Sequence, residues 1–172
     1  FVHNDFNLGH RRLAIIDLFS GNQPIFNENR SLCVIYNGEI YNYKELKTDL
    51  ENRSHKFITQ TDTEVLIHGY EEYGTNLFAK LNGIFAFALL DLRKNKLVLV
   101  RDQFGIKPLY NYYKDGVLLF SSEQKAILLH NKVSRKIAFK FFFILERIVP
   151  LCDWHTAGIK PTIDDFRNSF HI

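Results

Sequence analysis

The segment Gly83 to Leu90 carries apolar residues on both of its alternating faces: Phe85, Phe87 and Leu89 share one, while Ile84, Ala86, Ala88 and Leu90 share the other. A strand without a polar face is covered above and below, so this chain has to build a sheet sandwiched between two further layers. Neighbouring segments can supply them. Tyr43, Leu46, Lys47 and Leu50 recur at helical spacing and predict a helix over 43–50. Thr61-Asp62-Thr63-Glu64 reads as a capping box, with Thr61 as the N-cap and Glu64 reaching back to it. Val65, Leu66, Gly69, Tyr70 and Tyr73 then follow on one helical face, and Gly74 is a natural stop.

Further strands are expected at Leu13–Ile16, at Leu32–Tyr36 closed by Asn37-Gly38, at Lys56–Ile58 and at Leu97–Val100 after the turn Arg93-Lys94-Asn95. Asp115-Gly116 signals a hairpin between Leu109–Tyr113 and Val117–Phe120. Residues 19–30 read as a long loop, and Ser121 with Gln124 caps a last helix through Leu129. Strands, then helices, then antiparallel strands give an α+β fold with segregated layers rather than βαβ units. The pattern degrades after His130, so residues 1–130 are expected to form the domain and 131–172 a linker or the start of another.

Composition excludes several function classes. Residues 1–130 are balanced in formal charge and the net +3 falls on 131–172, which argues against a nucleic-acid surface. No apolar run approaches the roughly 18 residues that span a bilayer. Cys33 and Cys152 form no CxxC, so neither a zinc site nor a disulfide framework is indicated, and a reducing, cytoplasmic compartment is the default. The chain has no methionine and opens at Phe1, which leads us to expect a fragment with sequence missing upstream.

Four clusters could carry chemistry. Arg11-Arg12 stands just before an apolar run; it is either a solvated strand end or a planar fork for a carboxylate. Asn37-Gly38 is either a turn or an oxyanion hole built from the Asn amide and an unhindered glycine N–H. Asp62, placed in the first helical turn, either answers the helix dipole or receives a substrate ammonium. The segment Arg101–Tyr110 reads as a structured turn, with Asp102 bonding local N–H groups, Gly105 at positive φ and Pro108 fixing the exit. Neither cysteine is a convincing nucleophile: Cys33 lies inside an apolar strand, and Cys152 near His155 lies in the poorly patterned tail.

Together, GHRRLAIIDL (9–18), QPIFNE (23–28), IYNGEIYNYKEL (35–46), TQTDTEVLIHGYEEYG (59–74), LNGIFAFALLD (81–91) and RDQFGIKPLY (101–110) resemble the glutaminase domain of glutamine-hydrolysing asparagine synthetases. These are class II amidotransferases of the N-terminal-nucleophile hydrolase fold. The resemblance covers about residues 8–130. It implies a four-layer αββα sandwich of antiparallel sheets, incomplete at the N-terminus. It also implies that Arg12 holds the glutamine α-carboxylate in a pocket lined by Leu13, Ala14, Ile15 and Ile16. Asn37 and Gly38 match the oxyanion hole, and Glu39 and Asp62 the residues that orient the substrate and its ammonium group. The family's nucleophile is an N-terminal cysteine, and no cysteine precedes the GHRRL segment. The resemblance therefore implies L-glutamine as ligand, a synthetase domain using ATP and Mg2+ beyond this chain, a homodimer as one candidate assembly, and no cofactor or metal within the chain. It leaves open a non-catalytic glutamine-binding module, or another class II amidotransferase with a different acceptor.

Overall fold

The computed structural model describes residues 1–3, 5–10 and 22–133. Its centre is a four-stranded antiparallel sheet, β3 (Ile25–Phe26), β4 (Leu32–Ile40), β5 (Gly83–Asp91) and β6 (Lys96–Arg101), in that spatial order. β5 is the doubly apolar segment, and its nine residues pair with all nine of β4, from Leu32↔Asp91 to Ile40↔Gly83. Both faces are buried, as the pattern requires. Val34, Tyr36, Ile40, Phe85, Phe87 and Leu89 pack against α1 (Tyr43–Asn52) and α2 (Glu64–Tyr73) through Leu46, Leu50, Val65, Leu66 and Tyr70. Cys33, Ile35, Ala88 and Leu90 pack on the opposite side against Leu8, Phe1, Phe6 and Phe120.

That second side is built from two hairpins, β1 (Val2–His3) with β2 (Phe6–Asn7), and β7 (Tyr110–Lys114) with β8 (Val117–Ser121). A short helix α3 (Gln124–Leu128) packs on β7 and β8. Within the described residues the layers therefore run helices, central sheet, hairpins, helix, an α+β arrangement of antiparallel sheets. No helix among them is long and apolar enough to cross a membrane.

Several local expectations hold. The β7–β8 turn has φ of 51° at Asp115 and 76° at Gly116, the two positive values that a two-residue hairpin of this twist requires. Gly74 ends α2 at φ 57°. Asp102 is 5% exposed and accepts from the backbone N–H groups of Phe85, Phe104, Ile106 and Lys107 at 3.0–3.2 Å. Burial alone would raise its pKa, but those four donors outweigh burial and hold the carboxyl below its ordinary value. A depressed folded pKa stabilises the fold above the unfolded value, about 4, and that stability is lost as pH falls through the folded value. Asp102→Asn is accordingly expected to flatten the fall in urea midpoint between pH 7 and pH 3, and an unchanged fall would remove Asp102 from the acid response.

Other expectations are corrected. β4 runs straight through Asn37-Gly38 to Ile40, so this dipeptide is strand and not turn. Lys56–Ile58 is not a strand, whereas the loop over 19–30 contains β3. The capping box does not form: α2 has Thr63 as its N-cap with no side-chain cap bond. Glu64 turns away from the helix end instead and accepts from Ile58 N, Thr59 N and Thr59 Oγ1 at 2.8, 2.7 and 2.6 Å. Burial would raise the Glu64 pKa, yet His68, Thr59 and the two N–H groups prevail and bring it to about 2. The last helix likewise begins one residue after Glu123, whose N–H reaches Ser121 Oγ at 3.1 Å. The strand expected at Leu13–Ile16 and the tail 134–172, which includes Cys152, lie outside the described residues.

Candidate functional site

Strand directions decide what the Asn37-Gly38 backbone can do. In an antiparallel ladder, alternate residues turn their N–H and C=O to opposite neighbours. Phe85, opposite Gly38, gives both of its backbone groups to Asp102: its N–H to Oδ2 at 3.2 Å and its carbonyl to Asp102 N at 2.8 Å. Gly38 is thus not bonded to β5, and its N–H faces the other edge of β4 together with those of Tyr36 and Ile40.

Along that edge, β3 pairs only with Cys33 and Val34. The Gln23 side chain then adds one more rung, accepting from Tyr36 N at 2.6 Å and donating to Tyr36 O at 2.9 Å. Two residues further on comes Gly38, and after it Ile40, whose N–H donates to Asp62 Oδ2 at 2.9 Å. The Gly38 N–H therefore points to the strand edge between a rung closed by Gln23 and a rung closed by Asp62.

Asp62 lies two residues ahead of α2 rather than in its first turn, and it is 9% exposed. Its Oδ2 also accepts from the Tyr36 hydroxyl at 2.6 Å. Burial and the adjacent Asp62 charge push the Tyr36 pKa far up, which keeps the phenol a donor. Both bonds fall on Oδ2. The helix-dipole reading of Asp62 gives way to this specific anchorage.

Asn37 and Glu39 project from the face of β4 that carries Cys33 and Ile35, but beyond the packed part of that face, where both are exposed. The structure thus brings Asn37, Gly38, Glu39 and Asp62 to one end of β4. Arg12, Leu13, Ala14, Ile15 and Ile16 lie outside the described residues. Two supporting residues escaped the sequence reading. Tyr36 reads as part of an apolar strand and Gln23 as part of an irregular loop; only the pairing of that loop with β4 exposes what they bond. Cys33 is fully buried, and burial pushes its thiol up to about 11, so it is no nucleophile.

Known proteins share this architecture. A bacterial phosphoribosylpyrophosphate amidotransferase, from Bacillus subtilis and complexed with ADP and GMP, matches at a TM-score of 0.53 with 28% identity over 61% of this chain and 25% of that one. A structure described as the allosteric regulatory enzyme of purine biosynthesis matches at 0.54, again with 28% identity, over 62% and 25%. The fold is that of the N-terminal-nucleophile amidotransferases. In sequence, asparagine synthetase [glutamine-hydrolyzing] 2 of Oryza sativa subsp. japonica is 51% identical over 126 residues, 73% of this chain and 21% of the relative. Its namesake in Bacillus subtilis (strain 168) is 46% identical over 140 residues, 80% and 18%. The chain spans about a fifth of the length of these curated relatives. A family model described as a glutamine amidotransferase domain matches residues 1–151, through the whole described region, and the chain belongs to that family.

Proposed function

We propose that the chain is the glutamine-binding part of an asparagine synthetase, serving the release of ammonia from L-glutamine for ATP-dependent amidation of aspartate. The observation that carries this is the Gly38 N–H directed to the edge of β4 beside Asp62. An amide carbon under attack develops negative charge on its oxygen, and fixed donors aimed at that oxygen lower the barrier. The Gly38 N–H and the Asn37 side-chain amide are those donors. The carboxylates of Asp62 and Glu39 take the substrate's ammonium and backbone groups, and Arg12 takes its carboxylate. The relatives' names support the glutamine donor and the asparagine product; ATP and Mg2+ belong to a synthetase domain beyond these residues. A free Cys33 thiol suits a reducing, cytoplasmic location.

In this reading the thiol attacks the glutamine side-chain carbonyl carbon, ammonia leaves, and water hydrolyses the resulting thioester to glutamate. Cys33 cannot supply that thiol. The 172-residue polypeptide is therefore expected to bind glutamine without releasing ammonia, and the same polypeptide joined behind a Cys-initiated segment of a relative is expected to release it. Coupled assay of ammonia and glutamate checks both. Turnover by the 172 residues alone would contradict the assignment of the nucleophile. A second reading is a glutamine-binding module without chemistry, and failure of the joined form to turn over would select it.

A further inference from the structure

We propose that His55, His68 and Glu71 form a zinc site in the helix layer, with water as the fourth ligand; it does not rest on the glutamine reading. His55 comes from the loop after α1, while His68 and Glu71 stand one turn apart on α2. His68 Nδ1 lies 3.2 Å from Glu71 Oε2, and His55 Nδ1 lies 3.7 Å from the same oxygen. One ligand atom from each residue falls within 4.8 Å of the others. Ligands about 2.0–2.1 Å from a tetrahedral zinc are about 3.3 Å apart, so small side-chain rotations close this set on one ion.

The surroundings separate it from a chance cluster. Each imidazole turns its remaining nitrogen to a carboxylate: His68 Nε2 to Glu64 Oε1 at 3.4 Å, and His55 Nε2 to Glu72 Oε2 at 3.3 Å. Histidines that ligate metals are held in this way, because the outer N–H bond fixes the tautomer and aims the inner lone pair. Here the pattern occurs twice, with both Nδ1 atoms facing Glu71. The other oxygen of Glu71 accepts from Asn27 Nδ2 at 2.7 Å. His68 is 2% exposed and meets the Phe57 ring edge-on, with centroids 4.7 Å apart. The side chains of His55 and Glu71 are 18% and 20% exposed and leave the ion a way in.

Two neutral imidazoles and one carboxylate suit zinc better than magnesium or calcium, which take oxygen ligands. The bound ion would tie the loop after α1 to α2 and, through Asn27, to the turn before β4. Cysteine spacing does not register a set made of His and Glu.

The test is calorimetric titration of the chelator-stripped 172-residue chain with Zn2+, repeated with Co2+ as an absorption probe. One ion per chain is expected, with a melting temperature that rises with free Zn2+ as binding to the folded state requires. His55→Ala and Glu71→Gln are each expected to weaken binding at least ~100-fold, and Glu72→Gln about 10–100-fold. His55 and Glu71 are partly exposed, so circular dichroism should show these variants folded; His68→Ala is not relied on, because it empties a buried position. No binding at 100 µM Zn2+, or unchanged affinity in either His55→Ala or Glu71→Gln, overturns the proposal and leaves the cluster a hydrogen-bond network only.

Discussion

Replacing Gly38 with alanine is expected to cost about 3–5 kcal/mol of stability, a large share of the ~5–15 kcal/mol a domain possesses. A Cβ built at Gly38 would lie 2.1 Å from the Ile84 carbonyl oxygen and 2.6 Å from Phe85 Cα. Both are backbone atoms of β5, the strand at the centre of the core, so relief requires spreading the β4–β5 ladder. The φ of 153° adds conformational strain for any residue with a side chain. Gly116 is the control. Its φ is 76°, but nothing lies within 4 Å of a Cβ there, so Gly116→Ala should cost only the backbone term of about 1–2 kcal/mol. Urea midpoints of the two variants separate close approach from conformation, and equal losses would mean that β5 yields easily. The same contact explains why position 38 must be glycine for packing, whatever its N–H does at the strand edge.

Asp62→Asn is expected to lower glutamine affinity by at least ~100-fold, the scale of losing a charged partner for a desolvated ammonium. The substitution keeps the shape of the side chain and an acceptor for Tyr36 or Ile40, so stability should fall by no more than about 1–3 kcal/mol. Tyr36→Phe leaves the carboxylate charged and removes only one of its two bonds on Oδ2; affinity should fall about 3–10-fold. A glutamine analogue without the α-amino group makes the role specific. The parent chain should bind it as weakly as Asp62→Asn binds glutamine, and the variant should not discriminate between the two ligands. If Asp62→Asn weakens both ligands alike relative to the parent, Asp62 acts by positioning β4 and not by meeting the ammonium.

What could be read beforehand follows the strength of each local signal. The doubly apolar β5 and the Asp115-Gly116 hairpin are set by side-chain period and by backbone sterics, both of which act over a few residues. The α2 start differs from the capping-box expectation because Glu64 satisfies the preceding loop from Ile58 to Thr59 instead of the helix end, a choice decided by tertiary folding and by His68. Asn37-Gly38 has the wording of a turn, and only pairing with β5 along its full length makes it strand. Asp62 reads from the sequence as a helix-start acid, and its place beside Ile40 and Tyr36 does not, because it depends on residues 22–26 apart in sequence. Gln23 was invisible, because a side chain that completes a sheet rung leaves no periodic trace.

Glutamine binding at the edge of β4, between Gln23 and Asp62, is what the proposed function requires. Its most direct test is a titration of the 15N-labelled chain with L-glutamine, followed by amide chemical shifts. Saturable shifts are expected, centred on the Gly38 and Asn37 amides and the Asn37 side-chain NH2, with Ile40 moving through its bond to Asp62, and none of these with D-glutamine. Saturable binding that leaves Gly38 and Ile40 unmoved, or no binding at tens of millimolar glutamine, would contradict it.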